Sequence, residues 1–263
     1  MSIIIISADT GEIEEIIAQK VAETMGFTTL DHHILAEVAS AHGIDPDQLD
    51  EALKTTPSLF KKMTAKQWRY ALSCLEAEVL DRLLKDNIVC HGVAAHLYVT
   101  GVSHAMKVRI LKGKNRVIKE IVQHRGLSLE KTERCCAAEL EQRKKWSMAA
   151  YGFDETDLSQ YDLVINLDQI DPEEAVRTIA GAAEYRKFQV MTYSMKCLSD
   201  LALAARVNTV LLDSMTDINV QSHDGSVVVT AKASNRQKRE RIALIKEMAG
   251  KVDGVRYVEV HVK

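Results

Sequence analysis

Apolar positions change their period along this chain. Ile3 to Ile6 run without a polar break, and beyond Ser7-Ala8-Asp9-Thr10-Gly11 the apolar residues recur at Ile13, Ile16, Ile17 and Val21. A continuous apolar run followed by steps of three and four predicts a strand buried on both faces that feeds a helix. Gly26 ends that helix, Phe27 to Asp31 reads as a short extended segment, and Ile34 to Ala41 is helical again. Asp45-Pro46 starts the next helix, with Asp capping free N–H groups and Pro at the first helical position. Thr55 to Met63 reads as a connection. From Thr64 to Asp86 the series Trp68, Ala71, Leu72, Leu75, Val79, Leu80, Leu83 keeps one long helical face apolar.

Ile88-Val89-Cys90 and Met106 to Leu111 read as strands, Val117 to Val122 as a helix, and Leu127 to Tyr151 as a heavily charged helix. Tyr161 to Leu167 is the last strand of this half, and Asp171-Pro172-Glu173 caps a helix running towards Phe188. Strands alternating with helices over residues 1–188 predict an α/β domain, a parallel sheet with helices on both faces. Residues 189–263 read differently. An amphipathic helix (Leu198, Leu201, Ala204, Val207, Leu211) leads to Ile218-Asn219-Val220, a His223-Asp224-Gly225 turn and Val227-Val228-Val229. A second helix and a closing strand, Val255 to Val262, complete a small α-β-β-α-β unit.

Composition alters little. In 263 residues, 46% hydrophobic and 27% charged, the net charge is −3 and the pI about 6.3. That balance argues against bulk attraction to nucleic acid or anionic membrane. The opening residues lack a leader pattern and no apolar run reaches membrane-spanning length, so a cytoplasmic protein is expected. Cys74, Cys90, Cys135, Cys136 and Cys197 are odd in number and scattered, which suits reduced thiols. The histidine pairs His32-His33 and His91…His96 lack a recognisable set of carboxylate co-ligands, so no metal is expected.

Ser7, Gly11, Ile17, Val21-Ala22, Gly26 and Asp31-His32-His33-Ile34-Leu35 fall at the spacing of an S-R-x-x-G-S-G-G-x-x-I opening, an L-A-x-x-L-G helix end and a D-[RK]-x-[IL]-[IL] segment. Val108-Arg109-Ile110, Asn115-Arg116-Val117, Gly126 to Glu130 with Arg143, and Tyr161 to Asn166 continue the correspondence. In these features residues 2–188 resemble the cytidylate-kinase-like family of P-loop nucleoside monophosphate kinases. The tail, with Gly225-Ser226-Val227 and Gly254-Val255-Arg256-Tyr257-Val258, resembles the BON domain, a ligand- or partner-binding module of bacterial type. The resemblance implies nucleotide-binding roles for Ser7, Thr10, Gly11 and Asp31, catalytic roles for Arg116 and Arg143, ATP with Mg²⁺ as co-reactants of an active enzyme, and a protein partner bound through the tail, with an oligomer as a separate expectation.

Phosphoryl transfer needs backbone N–H groups wrapped around phosphates, a cation on the β/γ oxygens and a hydroxyl on Mg²⁺. Here the family's glycine pair falls on Ile13 and Glu14, and the next polar or basic position on Glu15. Two unit charges ~5 Å apart interact by roughly 3 kcal/mol at an effective dielectric near 20, so carboxylates at this helix start oppose a triphosphate. Where the family shows Gly-Arg after the Ile88-Val89-Cys90 strand, this chain has His91-Gly92, and the lid D-x-x-R becomes Leu140-Glu141-Gln142-Arg143. The degenerate phosphate loop points to a non-catalytic or impaired nucleotide- or ligand-binding regulatory protein. The alternative is an active kinase transferring the ATP γ-phosphate to CMP.

Several side chains carry two readings. Arg116 and Arg143 face phosphate or solvent equally well, while Arg134 and Lys144 favour a solvated helix face. Asp31 serves as an acceptor-site carboxylate or as the cap of the helix at Ile34. Arg236, Lys238, Arg239, Arg241 and Lys246 favour a solvated face over nucleic acid. Met191, Tyr193 and Met195 suit an interface between the halves or core packing.

Overall fold

The opening isoleucines are at most 1% exposed and serve two different layers. They form β1 (Ile3–Ala8), which leads into α1 (Gly11–Met25), β2 (Thr28–Leu30), α2 (Ile34–His42), α3 (Pro46–Lys54), α4 (Ala65–Leu83), β3 (Ile88–His91) and β4 (Ala105–Leu111). Then follow α5 (Leu129–Tyr151), β5 (Leu163–Asn166), α6 (Pro172–Ala183), α7 (Thr192–Ser214), β6 (Ile218–His223), β7 (Ser226–Ala231), α8 (Lys238–Gly250) and β8 (Tyr257–Val262). This computed structural model describes residues 2–8, 11–57, 63–111, 128–232 and 237–262. The helix expected over Val117 to Val122 lies outside the described residues.

Five strands form one sheet in the order β2-β3-β1-β4-β5, every pair parallel. Because side chains alternate along a strand, Ile3 and Ile5 enter the layer of α2, α3 and α4, while Ile4, Ile6 and Ala8 meet Ile17 and Val21 of α1 and Ile179 of α6. Each buried isoleucine contributes about 1.5–3 kcal/mol, which explains the unbroken apolar run from Ile3 to Ile6.

The expected helix starts are in place. Asp45 accepts the Asp47 N–H, Thr64 and Gln67 form a capping box, and so do Asp171 and Glu174. Helix α6 stops at Ala183 instead of running to Phe188. A 3₁₀ turn over Arg186–Phe188 then tucks Phe188 into the layer with α1.

Helix α7 belongs to two cores. Leu198, Ala202 and Ala205 pack with α4, and Leu203, Val207 and Leu211 pack with β7, β8 and α8. A polar tie fixes the first contact, Ser73 Oγ lying 2.8 Å from Thr209 Oγ1, and a second joins α7 to the turn before β4, with His104 Nδ1 2.5 Å from Ser194 Oγ. Strands β6 and β7 are antiparallel and β7 and β8 parallel, so the tail keeps its expected α-β-β-α-β order. The hairpin turns through Asp224 (φ 48°) and Gly225 (φ 76°). A Cβ at Gly225 would sit 3.0 Å from the Gly254 carbonyl oxygen, so glycine is required twice over. Met191 and Tyr193 correct the sequence expectation of interface or core. They are 50% and 73% exposed because the inner face of α7 runs through Ser194 and Leu198. Among the described residues no helix is long and apolar enough to cross a membrane.

Candidate functional site

The chain order reverses at β1, whose neighbours β3 and β4 leave on opposite sides, and in an open parallel sheet ligands bind beyond the strand ends at such a point. A cleft of about 580 Å³ opens there, floored by Ile5 to Ala8 at the end of β1 and by His91-Gly92 at the end of β3. Helix α3 forms one side and α5 another. The two are joined directly, since Gln142 Nε2 donates to the Lys54 carbonyl at 3.0 Å. Trp146 Nε1 donates to the Ala52 carbonyl at 2.7 Å, an oxygen that also accepts from Trp68 Nε1.

At the first turn of α1 the Glu14 side chain bends back into the cleft and is 9% exposed. Its carboxylate accepts the Gly92 N–H at 2.8 Å and the Ala8 N–H at 3.3 Å. The carboxylate thus occupies backbone donors at the very junction where a phosphate would be held. Burial raises its pKa, and the two N–H donors with the charges of Arg143 and Arg109 oppose that rise without cancelling it.

Arginines frame the junction. Arg109 lies opposite Ser7 in the β1–β4 register and donates to Ser7 Oγ at 2.7 Å and to the Ala8 carbonyl at 3.3 Å. Arg143, from α5, donates to the same carbonyl at 3.2 Å and grips Glu155 with two bonds of 2.9 and 3.3 Å. Glu155, 3% exposed, follows α5 in a turn fixed by its own N–H to Ser147 Oγ, and its carbonyl accepts from Tyr161 Oη. Burial alone would raise the Glu155 carboxyl, yet His96 and the Arg143 fork bring it down to about 2. His96 Nε2 stands 3.5 Å from Glu155 Oε2, and burial keeps that imidazole neutral.

Of the residues singled out from sequence, Ser7 and Arg143 line the cleft, and Gly11 is the first residue of α1. Thr10 and Arg116 lie outside the described residues. Asp31 stands at the turn into α2, accepting the His33 N–H and lying 2.8 Å from His33 Nδ1. Burial raises its pKa, but the bonds from His33 outweigh that and lower it. Arg134 pairs with Glu130 and Lys144 with Asp154, both on the outer face of α5. Sequence reading missed Arg109, Glu155, His96 and Tyr161. Arg109 gave a signal, as one of two charges with Lys107 inside an otherwise apolar strand, and His96 entered only in a histidine pair set aside as a metal site.

The profile of the cytidylate kinase-like family matches residues 3–169. A cytidylate kinase of Staphylothermus marinus is 27% identical over 183 residues, covering 68% of this chain and 94% of that protein. A cytidylate kinase of Sulfurisphaera tokodaii is 25% identical over 186 residues, covering 67% and 92%. A crystal structure of an uncharacterized protein from Eubacterium ventriosum superposes with a TM-score of 0.50 at 18% identity, covering 71% of this chain and all of that one, and supports the fold alone. With its five parallel strands, its cleft at the β1 switch point and a match over most of its length, this chain belongs to the cytidylate kinase-like family.

Proposed function

We propose that this protein is a catalytically impaired member of its family, a regulatory protein that binds a ligand in the cleft and acts through its C-terminal BON-like unit. One observation carries the reading: the Glu14 carboxylate takes the Ala8 and Gly92 N–H groups from inside the molecule. A triphosphate approaching those donors meets a buried acid in place of the small residues that phosphate binding requires, and a carboxylate about 4 Å from a phosphate charge costs about 4 kcal/mol at an effective dielectric of 20. The arginines nearest the junction are engaged, Arg143 with Glu155 and Arg109 with Ser7. The described residues therefore do not fit ATP and Mg²⁺. Helix α7, shared by both cores, is the element through which the cleft and the tail would communicate.

The second reading, an active enzyme transferring the ATP γ-phosphate to CMP, draws on Arg143 facing the cleft and on the two relatives named cytidylate kinase. A coupled assay with Mg-ATP and CMP separates the two. We expect no CDP above background, a flat calorimetric titration with ATP, and a gain in ATP affinity of about tenfold in Glu14→Gln, which keeps the shape and removes the charge. Steady CDP formation abolished by Arg143→Ala would overturn the proposal.

A further inference from the structure

The C-terminal end of α3 is capped from outside its own helix. The Thr55 N–H closes the last bond of α3 on the Glu51 carbonyl, so the Ala52, Leu53 and Lys54 carbonyls lie beyond the reach of the helix. A backbone carbonyl has two lone pairs, and at Ala52 two indoles use them: Trp146 Nε1 of α5 donates at 2.7 Å and Trp68 Nε1 of α4 at 3.0 Å. Both rings are buried, and the Tyr151 ring meets Trp146 edge-on at 6.0 Å. The Lys54 carbonyl accepts from Gln142 Nε2 at 3.0 Å. One helix end thus joins three helices, and Leu53, Lys54, Gln142 and Trp146 all line the cleft. Helix α5 changes character at this corner. Every described side chain from Glu130 to Gln142 is exposed, whereas Trp146 and Ser147 are buried.

We propose that the Ala52 carbonyl is a three-way latch: it holds α3, the start of α4 and the C-terminal half of α5 as one wall of the cleft, which opens or stays shut as a unit while the arm of α5 before Gln142 moves without it. The latch stands whether or not the cleft takes a phosphate, so its failure leaves the impaired-kinase reading untouched. Hydrogen–deuterium exchange of the full chain without ligand tests it. Residues 130–141 should exchange about tenfold faster or more than residues 143–150, and the latter should match the last turn of α3 within about threefold, because one opening exposes both. Trp146→Phe keeps a ring in place and removes one bond, and should speed exchange about fivefold in the last turn of α3 and in residues 143–150 alike. Gln142→Ala, an exposed substitution that spares the core, should speed exchange in the same two segments. Arg134→Ala, on the exposed arm, should leave the last turn of α3 unchanged. Strand β7 of the tail core reports general loss of stability and should not respond to any of the three. Faster exchange confined to α5 in both latch variants, faster exchange shared with β7, or uniform exchange along α5 in the natural chain overturns the inference.

Discussion

The two walls of the cleft each bury a glutamate, and the two carboxyls titrate in opposite directions. On the α5 side Glu155 meets the Arg143 fork directly and is brought down to about 2. On the β1 side Glu14 receives two backbone N–H groups and feels both arginines without touching them, and burial leaves its pKa raised. Glu76 of α4 marks the limit of the series: with burial the sole influence on it, its carboxyl rises to about 7. Burial raises the pKa of each acid, and the bonded cation marks the one that is firmly ionised. Glu155 is a fixed anchor for Arg143, whereas Glu14 is held by the Ala8 and Gly92 N–H groups alone.

The largest effect should come from breaking the anchored wall. Glu155→Ala leaves Arg143 without its fork, and we expect about 3 kcal/mol loss of stability by urea denaturation at neutral pH. The pH profile has a definite sign. Since the folded Glu155 pKa lies below the unfolded value, its stabilisation is present above about pH 4.5 and lost as pH falls towards 2. The variant should lack that acid limb, and a limb of undiminished size would show that the pair does not hold the wall.

Glu76 sharpens the comparison from the other end. Its folded pKa lies above the unfolded value, so its favourable contribution is complete below about pH 4.5 and disappears as pH rises through 7. Glu76→Gln should therefore stabilise the protein by about 2 kcal/mol at pH 8 and change little at pH 4. Equal effects at both pH values would mean that packing, not ionisation, is being measured. The smallest effect belongs to the contact between the walls and α3. Trp146→Phe removes one N–H from the Ala52 carbonyl, which keeps its bond from Trp68, and should cost about 1 kcal/mol in thermal unfolding.

What could be read in advance follows from the range of each interaction. The unbroken Ile3–Ile6 run, the steps of three and four in α1 and α4, and the caps at Asp45 and Asp171 act within one strand or turn, and the elements appeared where those patterns put them. The conflict at the start of α1 was also visible, as glutamates at positions that phosphate binding reserves for small residues. Its resolution was not, because the Gly92 N–H that receives Glu14 lies 78 positions away. Asp31 kept two readings in the sequence, and the bonds it makes to His33 became visible only in three dimensions.

The sequence by itself determined the layers: which residues are strand, which face of each helix is apolar, and that the start of α1 carries glutamates. These are properties of hydrophobic period and local hydrogen bonding, fixed by neighbours along the chain. The tertiary structure alone decided the chemistry of the cleft. It placed Arg109 against Ser7 through strand register, and it brought Arg143 and His96 to Glu155. Ion pairs and desolvation depend on distances of a few ångströms between segments far apart in sequence, and only the folded chain sets those distances.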